Sequence, residues 1–138
     1  MSTTEQQRIL IVDTNPLFLE RLARGLRDRN FDVVAAASGA QAFHVLRDWH
    51  RPIHWLFTRA TLPGLIDGWI LADEYRDNHP HRAAVIAASQ TGVSAQGHII
   101  LQDPSPAAVI DTMRCIMAQH QALEIPSHAE CDKEPLAA

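Results

Sequence analysis

Apolar residues in this chain come in short continuous runs, separated by stretches with helical spacing. Ile9-Leu10-Ile11-Val12 places four β-prone residues in a row after Arg8. Such a run suits a strand covered on both faces in a parallel sheet. Asp13-Thr14-Asn15-Pro16 follows, with Asn15 suited to cap a helix and Pro16 to begin it. Phe18, Leu19, Leu22, Ala23 and Leu26 then share one face of a helix predicted over residues 16–29. Gly25 inside it costs up to about 1 kcal/mol relative to alanine. The pattern repeats. Residues 31–37 read as a second strand, and Ser38-Gly39-Ala40-Gln41 has capping-box spacing before a helix over 40–49. Residues 53–58 read as a third strand after the chain break at Pro52. A loop over 59–68 leads to a helix over 69–78 that stops at His79-Pro80. Residues 83–88 and 98–101 read as the fourth and fifth strands, and Ser105-Pro106 opens a last helix to about residue 123.

Strands therefore alternate with helices, which predicts an α/β domain over residues 8–123 with a doubly wound parallel sheet. Residues 1–7 and 124–138 read as polar tails, the second disordered, with no output domain after the last helix. In such sheets the chemistry sits at the carboxyl ends of the strands. The residues predicted there are Asp13 and Thr14, Thr58 and Arg59, Ser89, then Gln102 and Asp103.

Composition narrows the chemistry. The chain has 138 residues, 46% of them hydrophobic and 20% charged, which fits one soluble domain. Of its 12 basic residues 11 are arginine, and the one lysine is Lys133 near the end. No P-loop lysine, Schiff-base lysine or lysine general base can lie within the predicted domain. A net charge of −4 argues against a surface that coats nucleic acid. Cys115 and Cys131 form no disulfide framework, no apolar run is long enough to span a bilayer, and the polar start is no signal peptide, so a reducing cytoplasm is expected.

The order and punctuation of these segments resemble the receiver domain of two-component response regulators. The matching pieces are Ile9 to Asp13, Ser38-Gly39-Ala40, Leu62-Pro63-Gly64 with Asp67-Gly68, Val85-Ile86 through Ser89, and Asp103-Pro104. The resemblance implies a flavodoxin-like five-stranded sheet of order 2-1-3-4-5. It also implies three acidic groups that hold Mg²⁺, one of them a phosphoacceptor at the end of strand 3, with a hydroxyl after strand 4 and a lysine after strand 5. The cation would offset charge on the transferring phosphoryl group.

Only part of that set is present. Asp13 matches the first acidic residue, but Thr14 replaces the second. Counting back from Leu62-Pro63 puts Arg59 at the acceptor position, and a loop insertion would put Thr58 there; neither is a carboxylate. Ser89 matches the hydroxyl, Asp103 stands where the lysine would be, and Ile100 replaces the usual aromatic. The expectation is a degenerate phosphorylation site, a pseudo-receiver, that binds no Mg²⁺ or other cofactor. The Asp–Lys pair of the resemblance becomes Arg59 and Asp103 with signs exchanged, which predicts an Arg59–Asp103 ion pair with Asp13 as a second acceptor. The alternative is an Arg59 that projects into solvent.

The connection between strands 4 and 5 is also short. Residues 90–97, with two glycines, cannot hold a crossover helix. One sheet face would then be uncovered, with Ile86, Ile99 and Leu101 as candidates for an exposed interface to a homodimer or partner.

Other patterns carry less. His50 and His54 are separated by Pro52, no GxSxG or Walker motif is present, and eight scattered histidines read as surface groups rather than metal ligands. Trp49, Trp55 and Trp69 read as core or edge anchors, and Glu20, Arg21, Arg24, Arg27, Asp28 and Arg29 as a solvated or docking face of the first helix. The expected function is a stand-alone, non-enzymatic receiver-like module of phosphorelay signalling, partnered with a histidine kinase, phosphotransfer protein or other regulator. The alternatives are an active receiver with an unusual acceptor, Thr58 or Asp13, and a flavodoxin-like small-molecule binder.

Overall fold

A computed structural model describes residues 7–48, 50–80, 82–89, 92–93 and 97–124. Along the chain the elements are β1 (Arg8–Val12), α1 (Pro16–Arg27), β2 (Asp32–Ala36), α2 (Gly39–Leu46) and β3 (Trp55–Arg59). They continue as α3 (Gly68–Asn78), β4 (Val85–Ala88), β5 (Gly92–Val93), β6 (Ile99–Gln102) and α4 (Pro106–Glu124). The sheet order is β2-β1-β3-β4-β6-β5. Leaving out β5, the five parallel strands run in the expected order 2-1-3-4-5, with β6 as the fifth.

Alternation along the strands divides the core into two layers. Ile9, Ile11, Trp55, Phe57, Val85 and Ala87 face α1 and α4. Leu10, Val12, Leu56 and Ile86 face α2 and α3. Local chemistry starts each helix. Asn15 Oδ1 accepts from the N–H groups of Leu17 and Phe18, at 3.0 and 3.3 Å. Ser38 Oγ accepts from Gln41 N–H at 3.2 Å, and Gln41 Oε1 accepts in return from Ala37 N–H. Asp67 and Ser105 cap α3 and α4 in the same way.

Among the described residues no helix lies between β4 and β6. The two residues of β5 instead pair antiparallel with β6, Val93 against Ile99 and Gly92 against Ile100. The interface expected at Ile86, Ile99 and Leu101 needs correction. Ile86 is fully buried, because β4 is an inner strand and this residue packs in the α2–α3 layer. Ile99 and Leu101 are half-buried against the α1–α4 layer. The register pairs Ile86 with Ile100, so Ile100 is the β6 residue on the same sheet face as Ile86, where the described residues show no helix after β4.

Of the tryptophans expected at the core or its edge, Trp55 is buried and Trp69 is 40% exposed. Trp49, His81, Cys131 and the tails of residues 1–6 and 125–138 lie outside the described residues. No helix among the described residues is long and apolar enough to cross a membrane.

Candidate functional site

The site forms where β1 and β3 end side by side. Val12 pairs with Thr58, so the residues that follow, Asp13 and Arg59, emerge together on one face of the sheet. Asp13 is fully buried. Its Oδ1 accepts from Arg59 Nε at 3.0 Å and from Asn15 N–H at 3.0 Å, and its Oδ2 accepts from Arg59 Nη2 at 2.8 Å. This is a bidentate fork, the geometry in which a guanidinium binds a carboxylate best. The Arg59 guanidinium also lies over the Phe18 ring, 5.7 Å from its centroid. Phe18 stacks in turn on Phe57 at 5.9 Å. Hydrogen bonding to Asp13 raises the Arg59 pKa above its ordinary value; burial opposes this, and the charges of Asp13 and Asp103 add to it.

Arg59 therefore does not project freely into solvent, but its direct partner is Asp13. The expected Arg59–Asp103 pair is not formed. β6 is separated from β3 by β4, and Arg59 and Leu101 both register with Ala87. Two strand spacings put those backbones about 10 Å apart. Asp103 lies two residues farther out, so it acts on Arg59 through charge at longer range.

The other predicted residues separate by role. Thr58 is fully buried and its hydroxyl donates to the Arg59 carbonyl at 3.1 Å, so Arg59 and not Thr58 opens on the crevice. Thr14 is exposed on the turn beside Asp13. Ser89 follows β4 and is exposed. Asp103 follows β6 in a left-handed backbone conformation, φ 39°, with its N–H bonded to Ala88 O at 3.1 Å. Arg59, Ser89 and Asp103 share an open crevice of about 450 Å³ with Thr61, Trp69 and Ile100.

The wall of that crevice depends on two glycines. Gly68 N–H closes the loop by bonding Ala60 O at 3.0 Å, and a Cβ at Gly68 would overlap the Arg59 carbonyl oxygen. A Cβ at Gly39 would overlap the Ile66 carbonyl oxygen. The loop thus lies flat on β3 and on the start of α2, and Trp69 at the start of α3 reaches the crevice. Sequence reasoning did not assign Phe18 or Trp69 to this site. Phe18 at helical spacing is indistinguishable from a core residue, and Trp69 shows its position only once the loop path is known.

A receiver-type Mg²⁺ site does not fit these residues. One of its three carboxylates remains, and both oxygens of Asp13 are already bonded by the guanidinium. No group of three potential metal ligands occurs among the described residues.

The sequence matches no family model and no curated protein. Solved structures do resemble it. The response regulator receiver protein from Sinorhizobium medicae is 26% identical over 89% of this chain and 98% of its own, with a TM-score of 0.69. The receiver domain of the hybrid histidine kinase CckA is 24% identical over 78% of this chain and 95% of its own, with a TM-score of 0.64. The CheX–CheY–BeF3–Mg²⁺ complex of Borrelia burgdorferi contains a chain 16% identical over 80% of this one and 89% of its own, with a TM-score of 0.66. The fold of this chain is the response-regulator receiver fold.

Proposed function

We propose that this receiver-fold chain is a pseudo-receiver: a module of two-component signalling that takes up no phosphoryl group and acts through protein–protein contacts. The observation that carries the reading is the Asp13–Arg59 fork, 3.0 and 2.8 Å long. It places a permanent cation between the ends of β1 and β3, where receiver chemistry requires an acceptor carboxylate and room for a metal. Phosphoryl transfer in such a site rests on positioning and charge neutralisation by the metal. Here the one buried carboxylate among the described residues is committed to a guanidinium, and Thr58 is buried as well. The signalling partner class, a histidine kinase, phosphotransfer protein or other regulator, is carried over from the fold. The likeness to a CheY chain held in complex with CheX supports recognition by another protein.

Incubation with a small-molecule phosphodonor and Mg²⁺, followed by intact mass spectrometry, tests this. The expected outcome is an unmodified chain. An adduct of about 80 Da would overturn the reading, and mapping it to Asp13 or Thr58 would establish an active receiver with an unusual acceptor.

A further inference from the structure

The crevice at the carboxyl end of the sheet carries an unbalanced charge. Asp13 and Arg59 neutralise each other through two hydrogen bonds. Asp103 lines the same crevice, is exposed, and forms no ion pair within 4.0 Å among the described residues. The three charges of the site sum to −1. The same lining holds Trp69, 40% exposed, the half-buried Ile100, and the hydroxyl-bearing Ser89 and Thr61.

We infer that this crevice is a docking pocket for an arginine side chain presented by a partner protein. A carboxylate supplies charge and paired acceptors to a guanidinium, and indole is the best aromatic face for a cation. Stacking on Trp69 with a salt bridge to Asp103 engages both features at once. An anionic occupant is disfavoured, because it would face Asp103 and would have to compete with Asp13 for Arg59. Ser89 and Thr61 add hydroxyl acceptors for the remaining guanidinium N–H groups. The inference deepens the proposed function by naming what the partner contributes: a cation supplied in trans to a site with no lysine among the described residues.

The backbone at Asp103 makes a clean test possible. Its φ of 39° lies in the left-handed region, which asparagine also tolerates, so Asp103→Asn removes the charge without displacing the turn. The probe is N-acetyl-arginine amide, followed by amide and indole NMR shifts of the full chain, with the neutral isostere N-acetyl-citrulline amide alongside. Saturable shifts are expected at Trp69 Nε1–H, Ser89 and Asp103 for the arginine compound. D103N should weaken that binding at least tenfold while leaving the remaining spectrum in place, and W69F should weaken it several-fold. Three outcomes would each overturn the inference: no saturable shift, equal binding of the citrulline compound, or a D103N variant that binds unchanged. These outcomes are independent of phosphodonor labelling, so failure of the pocket and failure of the pseudo-receiver reading are separable.

Discussion

Arg59 uses Nε and Nη2 on Asp13 and holds its guanidinium carbon over the Phe18 ring, leaving 29% of its side chain exposed beside a carboxylate that has no exposure at all. The two partners are therefore unequal. Losing the arginine strands a buried charge, and breaking such a pair costs far more than the pair contributes net. Arg59→Met preserves most of the stem volume and removes the cation. Its stability at neutral pH should fall by about 2–3 kcal/mol, below the range of about 3–5 kcal/mol for breaking fully buried pairs because one partner is partly solvated. The Asp13→Asn/Arg59→Met double variant should recover much of that loss, since a neutral amide leaves no stranded charge and its Oδ1 still accepts from Asn15 N–H. Urea unfolding with an unchanged m-value measures both, and strictly additive losses would contradict this account. The arginine itself was visible in the sequence, as a non-carboxylate at an acceptor position. Its partner was ranked wrongly because charge exchange with Asp103 ignores distance across the sheet. Strand register decides the matter, and register puts Asp13 beside Arg59 and keeps β6 two strands away.

The elements themselves were largely legible. Five apolar runs with Asn15, Ser38 and Ser105 as caps determine most of the alternation, because capping and burial act on neighbouring residues; Asp67, read as loop, caps α3. The misses have physical causes. β3 runs from Trp55 to Arg59 rather than over residues 53–58; at its start His54 N–H donates to Arg8 O, but Arg8 N–H is taken by His54 Nδ1 at 2.9 Å instead of a backbone carbonyl. At the other end, register with Ala87 makes Arg59 a strand residue instead of a loop residue. β5 has two residues, one of them glycine, and no periodicity can announce it. The β4–β6 pairing it borders contains a further group that chain patterning could not show. His98 is buried, and its Nδ1 accepts from Ala84 N–H at 3.0 Å, just before Ile99 N–H bonds Ala84 O. Burial lowers the His98 pKa, with opposing charge effects from Asp73, which raises it, and Arg76, which lowers it. A lowered folded value means that the unfolded chain binds the extra proton more readily, so stability rises with pH across the transition. The contribution is present above the unfolded value of about 6.5 and is lost as pH falls toward and below the folded value. Urea unfolding between pH 7.5 and 5 should show this loss. His98→Asn, whose amide oxygen can accept from Ala84 N–H, should flatten the difference from wild type, and parallel pH profiles would exclude His98 as its source.

At the scale of the whole molecule, the fold is a scaffold whose chemistry resides in a few positions at one end. The likeness to receiver structures extends over most of the chain, while on the proposed reading Thr14 and Arg59 stand where a metal-dependent switch would need carboxylates. If those positions alone separate this chain from metal binding, restoring carboxylates should restore it without redesign of the fold. Thr14→Asp/Arg59→Asp returns two acidic side chains beside Asp13, on a turn and a strand end already in register. Without metal, three neighbouring carboxylates repel, and the variant should be less stable than wild type. With about 10 mM Mg²⁺ and a dissociation constant of about 1 mM, binding would return about 1.4 kcal/mol, a rise of several degrees in Tm. Wild type should not respond beyond a potassium chloride control of equal ionic strength, because its cation is covalently its own. A wild-type chain that gained as much from Mg²⁺ would show that Arg59 does not keep the ion out. An unresponsive double variant would locate the loss of metal chemistry beyond these two side chains, in the geometry of the loop that Gly68 holds against β3.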